Sequence, residues 1–297
     1  MQGIEKEKRK AAVGVAFSGG GLQGLAHIGA VRALYELGVR PQFVAGSSSG
    51  ASIAALTAMG CTPDEMLRFA RKYRKSVAEF HTGTAMRQLA AMKLKNNGKD
   101  GLRDSGIISE IFQKIMAEKG IRGFRDLPIN LSVCAADTRT TDECIFTTNE
   151  EYLQNKHIHY IKGAPLELAV RAAMSFPGLF TSCDYKQFNL IDGGAKDNLP
   201  VRILRDMGVG KVIALGFDIS GYKPATGLSG MLGVVWRALD LYSVDSTRAS
   251  MKLADCCVQI KNSSAAIFSM NDLDLTVREG YDAVMKAKDR LAGIINA

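Results

Sequence analysis

Three short strings in this chain carry residues that could do chemistry. The first is Gly46-Ser47-Ser48-Ser49-Gly50, which follows the apolar run Phe43-Val44-Ala45 and precedes an Ala/Ile/Leu-rich stretch ending near Gly60. A strand–turn–helix with glycines on both sides of a central serine is what a nucleophile elbow requires, because so sharp a turn leaves no room for Cβ atoms beside the hydroxyl. Ser48 is therefore the candidate nucleophile and Gly46 and Gly50 its elbow glycines. Ser47 and Ser49 are expected to make turn and helix-cap hydrogen bonds. The second string, Gly19-Gly20-Gly21-Leu22-Gln23-Gly24, lies between a strand and a helix, where backbone N–H groups can meet a negative charge. That charge can be the oxyanion of an acyl intermediate. The third, Asp192-Gly193-Gly194, ends the apolar run Leu190-Ile191 and sets one carboxylate beside two residues that admit close backbone approach.

Other chemistries are weaker fits. The glycine loop satisfies GxGxxG, but a dinucleotide fold wants an acidic residue at the end of the second strand, where Val44-Ala45-Gly46-Ser47-Ser48 has none. A Ser–acid–His triad could be assembled on paper from Ser48, Asp137 and His157 or His159. Only 47 residues precede Ser48, too few for the strands that come before such an elbow, and the last 138 residues hold no histidine. His157 and His159 alternate on one face, a sparse basis for a metal site. His27 reads as a packed helical residue and His81 as an exposed one. No cofactor and no metal is expected.

Taken in order, the glycine loop, GxSxG and DGG resemble the patatin-like phospholipases. The connecting text is similar too: Ala136-Asp137 after a strand, Ala172-Ala173-Met174-Ser175-Phe176-Pro177-Gly178-Leu179-Phe180, and Asp197-Asn198-Leu199-Pro200-Val201 after the DGG. The resemblance implies a serine acyl-ester hydrolase acting on phospholipids or lysophospholipids, with a Ser48–Asp192 dyad. Asp192 would take the Ser48 proton, and an oxyanion loop of Gly19, Gly20, Gly21, Gln23 and Gly24 would offer chiefly its Gly20 and Gly21 amides. Gly193 and Gly194 complete the aspartate motif. Two departures stand out: Gln23 replaces the Arg or Lys usual in that loop, and the Met174–Phe180 string is poorer in proline, so the entrance there is expected to differ. With Gln23 in that place, the rival reading is a weakly active lipid- or protein-binding regulator on a hydrolase fold.

The elements that must position these groups alternate strand and helix from the start, which implies a parallel sheet with crossover helices. Ala11–Phe17, Phe43–Ala45, Ile129–Ala135, Cys144–Thr147, Phe188–Ile191 and Lys211–Phe217 read as strands; Leu25–Leu37, Ile107–Met116, Leu166–Met174, Met231–Tyr242 and Thr276–Ile295 read as helices. The expected fold is α/β, a mainly parallel sheet sandwiched by helices, with a catalytic domain over 13–217 and C-terminal helices over 218–297 packed on it. The 297 residues have an ordinary soluble composition, 46% apolar and 23% charged. Six scattered cysteines, with no CxxC pair, read as reduced thiols. The opening MQGIEKEKRK is followed by too short an apolar run for a secretory signal, so a cytoplasmic place is expected. Seven of the eight net positive charges lie between Glu65 and Arg103, ten Lys/Arg against three Asp/Glu. A basic amphipathic segment of that kind is expected to touch anionic membrane peripherally. Nucleic acid is not an expected partner, because the aromatics there are too few for base stacking.

Overall fold

Apolar runs that do not alternate with polar residues become strands buried on both faces, and helices must then cover each face of the sheet. The computed structural model describes residues 7, 9–78, 100–149, 157–218, 231–261 and 272–295, and the statements below concern these. The first part holds β1 (Val13–Phe17), α1 (Ala26–Glu36), β2 (Phe43–Ser47), α2 (Ser49–Ala58) and α3 (Pro63–Ala78). Then come β3 (Gly101–Arg103), α4 (Gly106–Lys119), β4 (Asn130–Asp137), β5 (Glu143–Thr147), β6 (Ile158–Ile161) and α5 (Leu166–Ala173). The rest comprises β7 (Gly178–Phe180), β8 (Cys183–Tyr185), β9 (Phe188–Asp192), α6 (Val201–Asp206), β10 (Lys211–Phe217), α7 (Met231–Leu253), β11 (Cys256–Ile260), α8 (Leu273–Lys286) and α9 (Lys288–Ile295).

The sheet runs β11-β10-β1-β2-β4-β5-β6, and the neighbours from β11 to β4 are all parallel. β5 and β9 both pair antiparallel with β4, β8 adds to β9, and β3 pairs β7 in a separate ribbon. Side chains alternate across the sheet. Val15, Phe17, Val44, Ile213 and Leu215 face the larger core, beneath α1 to α5 and α8. Ala16, Ala45 and Ala214 face a smaller core closed by Leu199, Val201, Ile203 and Leu204 around α6. The mainly parallel sheet between helices is thus the observed fold.

The C-terminal region is not only helical, as expected: β11 extends the sheet beside β10. A five-residue strand reading Cys-Cys-Val-Gln-Ile has too little pattern to stand out between helices. The run Thr276–Ile295 is two helices, broken at Ala287. β6 carries His159 at the edge of the sheet, where the sequence suggested only a polar face. Within the basic segment, α3 is helical as its spacing implies, whereas residues 79–99, with Met86, Leu89 and Lys93, lie outside the described residues. α8 crosses α1 at two glycines. A Cβ on Gly280 would sit inside the Ala26 carbonyl, and one on Gly29 inside the Val277 carbonyl.

Candidate active site

β2 is buried from end to end, and the chain must reverse sharply at its tip to start α2. Ser48 makes that reversal at φ 52° and ψ −130°, a conformation that costs a residue with a Cβ on the order of 1–3 kcal/mol. The flanking glycines are steric necessities. A Cβ at Gly46 would meet the Gly50 backbone, and one at Gly50 the carbonyls of Phe17 and Ser18. Ser48 sits at the N-cap of α2, yet its hydroxyl caps nothing. It is left half-buried at the positive end of the helix dipole. Ser47 and Ser49 do not make the expected turn and cap bonds: both hydroxyls are buried without a partner.

Sheet register brings Asp192 to the same place. β2 pairs with β4 up to Ser47 opposite Cys134, and β9, running the other way, ends with Asp192 opposite the next residue, Ala135. Two strands therefore share one edge of β4 and meet tip to tip. Gly193, next in line, lies so close to the Cys134 carbonyl that no side chain fits. The Asp192 N–H donates to the Ser175 carbonyl at 3.0 Å, and its Oδ1 accepts from the Gly194 N–H at 2.8 Å. Oδ2 is buried with no well-formed hydrogen bond. Burial pushes the carboxyl up to about 6, with the Ser48 side chain and the Gly194 amide holding it back from rising further.

The glycine loop runs beside the elbow: the place a Gly19 Cβ would take is 2.7 Å from the Ser48 Cβ. The Gly19 N–H is already given to the Asn198 carbonyl at 3.0 Å, so its amide cannot serve an oxyanion. Gly20 lies against the Phe217 ring, Gly24 against Ser49, and Gly21 and Gly24 border the cavity described next. Gln23 donates its N–H to the Gly20 carbonyl at 3.2 Å and is not among the residues lining that cavity.

Ser48 and Asp192 open onto a cleft walled by α1 to α4 and the segment after α5. Ile53 and Leu56 come from α2, Met66, Phe69 and Tyr73 from α3, and Ile111, Phe112 and Ile115 from α4. Among the described lining residues Asp192 is the sole carboxylate, and none is a lysine, arginine or histidine. This wall escaped sequence reasoning because its residues look like ordinary amphipathic helix faces. Met174, Phe176, Leu179 and Phe180, from the string after α5, complete it.

The histidines stand elsewhere. His157 and His159 both contact Asp142, at 3.3 and 3.0 Å, and Asp137 is taken up by the Asn189 N–H and by Thr140. Neither histidine lines the cleft.

The patatin-like phospholipase family matches residues 15–205. The chain belongs to the patatin-like phospholipase family. Its curated relatives include a patatin-like phospholipase domain-containing protein of Caenorhabditis elegans, 28% identical over 74% of this chain and 15% of that protein. An uncharacterised NTE family protein of Mycobacterium bovis is 26% identical over 72% of this chain and 51% of its own length. The chain thus spans about half or less of these relatives. The crystal structure of VipD from Legionella pneumophila aligns with 94% of this chain and 67% of that one, at 13% identity and a TM-score of 0.49. Among the described residues no helix is long and apolar enough to cross a membrane.

Proposed function

We propose that this patatin-like chain hydrolyses lipid acyl esters, phospholipid or lysophospholipid, through a Ser48–Asp192 dyad. The observation that carries the reading is the tip-to-tip meeting of β2 and β9, which sets a strained serine and a buried, incompletely bonded carboxylate on one apolar cleft. Asp192 accepts the Ser48 proton as Oγ forms its bond to the ester carbonyl carbon, and the carbonyl electrons move to oxygen. The Gly20 and Gly21 amides and the N-terminus of α2 stabilise that oxyanion. Collapse breaks the ester bond, and the departing alcohol takes the proton from Asp192. Water then attacks the acyl-enzyme, giving its proton to Asp192, and the fatty acid leaves as Ser48 is reprotonated. A carboxyl near 6 suits this work better than an ordinary aspartate, because it is more basic yet still ionised at neutral pH.

The apolar walls receive the acyl chain. The outer face of α3 extends the proposal to anionic lipid surfaces. Arg68 is paired with Glu118 and Arg71 with Asp274 at 2.6 Å, while Lys72 lies 5.1 Å over the Tyr73 ring. Lys72, exposed beside the paired arginines, is then the main described contact with lipid.

The test is hydrolysis of a panel of phospholipids, lysophospholipids and short aryl esters by purified protein. Ser48→Ala and Asp192→Asn should each lower kcat at least about 10³-fold with folding intact. Wild-type activity retained by folded Ser48→Ala would overturn the proposal.

A further inference from the structure

His27 is fully buried in the first turn of α1, three residues after the glycine loop, and it is absent from the chemistry proposed above. Its Nε2 lies 3.0 Å from the Ser18 carbonyl oxygen. A carbonyl can only accept, so Nε2 carries the proton and Nδ1, which is buried without a partner, does not. Burial lowers this imidazole to about 4 and keeps it a neutral donor. The ring packs edge-on against Phe17, centroids 5.5 Å apart, and 5.0 Å from Phe217. Phe217 in turn lies against Gly20, within 2.5 Å of where a Cβ would stand.

These contacts converge on one peptide unit. The Ser18 carbonyl accepts from His27 on one side, and the Gly19 N–H of the same peptide donates to Asn198 on the other. Gly50 of the elbow packs on that carbonyl as well, its missing Cβ only 2.5 Å from the oxygen. The Ser18–Gly19 plane is thus held from three directions immediately before the two amides assigned to the oxyanion. We infer that His27 is a positioning residue, whose Nε2–H fixes the Ser18 carbonyl and so aims the Gly20 and Gly21 amides. The inference rests on the reading of this loop as an oxyanion hole. The sequence gives no hint of it beyond a lone helical histidine.

Two amides of different reach test it. His27→Gln can place a donor near the Nε2 position, whereas His27→Asn falls short of the Ser18 carbonyl. On an aryl ester, the Asn variant should lose about 10²-fold in kcat, with KM within about threefold, and Gln should recover to within about tenfold of wild type. Affinity for an alkyl trifluoromethyl ketone, which forms a tetrahedral oxyanion adduct on serine, should fall in step with kcat, while affinity for a fatty acid should not. Equal kcat in folded Asn and Gln variants, or a loss confined to KM, would overturn the inference. If the Asn variant does not fold, Phe217→Leu loosens the imidazole from its other side and should lower kcat without raising KM; unchanged kcat there would also overturn it. In protein labelled with ¹⁵N-glycine, the Gly19, Gly20 and Gly21 amides should exchange faster in the Asn variant than in the Gln variant, and equal rates count against the inference. This last measurement needs no turnover, so an inactive wild type would sink the proposed hydrolysis while leaving the His27 contact to be judged by exchange.

Discussion

At the scale of single residues, Ser48 and Asp192 are each held in a state the fold does not favour. Ser48 occupies left-handed backbone space, and Asp192 keeps a carboxylate where burial opposes its charge. The raised carboxyl ties activity to pH. kcat/KM should fall about tenfold per pH unit below about 6, as protonated Asp192 can no longer accept from Ser48; a flat profile to pH 5 would contradict the assignment. It also ties stability to pH. A folded-state value above the unfolded one favours the fold at low pH, and that contribution is lost as pH rises through about 6. Asp192→Asn keeps an oxygen for the Gly194 N–H and removes the charge, so it should be more stable than wild type by up to about 2–3 kcal/mol at pH 8. The gap should close near pH 4. Glu143 and Asp197, also raised by burial, titrate in both proteins and drop out of the difference. Denaturant unfolding of the pair across pH measures this. Both residues are legible in the sequence, because GxSxG and DGG are local patterns with local steric reasons. The spent Gly19 amide is not, since its acceptor, Asn198, lies far along the chain.

At the scale of elements, α2 carries Ser48 at its start and Leu56 two turns further into the cleft, about 12 Å at 1.5 Å per residue. Leu56→Trp should block that end and penalise long acyl esters relative to short ones, by tenfold or more in kcat/KM, since each buried CH₂ contributes about 0.8 kcal/mol. An unchanged chain-length profile would place the acyl chain elsewhere. The crossing of α1 and α8 gives a stability prediction. Gly280→Ala should cost about 1–3 kcal/mol, read as a fall in Tm, because its methyl would enter the Ala26 carbonyl. Strand and helix periodicity marked most of these elements, including β10 residue for residue. It failed for β11, whose five residues gain their identity from pairing with β10 rather than from their own pattern. It was also silent on the β4 edge where β2 and β9 meet, because register between distant strands is set by the whole sheet.

For the whole molecule, the stretch of sequence that holds most of the net positive charge, Glu65 to Arg103, begins in α3, a helix that also lines the cleft. α3 turns Met66, Phe69 and Tyr73 to the cleft, and Lys72 is exposed. With Arg71, Lys72, Arg74 and Lys75 changed to Gln, co-sedimentation with anionic vesicles should weaken in low salt, by about 1 kcal/mol for each charge that reaches the headgroups. Equal binding by both proteins would remove the lipid-surface role from this helix. Overall architecture was the easiest level to read, since a βαβ opening with three ordered glycine motifs admits few folds. The cleft was the hardest, because Leu56, Phe69 and Ile115 look alike whether they fill a core or line a cavity.

The central claim, that Ser48 is a nucleophile activated by Asp192, is tested most directly by reaction with a fluorophosphonate, followed by peptide mass spectrometry. Wild type should give a single adduct on Ser48, forming more slowly below pH 6 and at least about 10²-fold more slowly in Asp192→Asn. An adduct on another residue, or an Asp192→Asn rate equal to wild type, would contradict it.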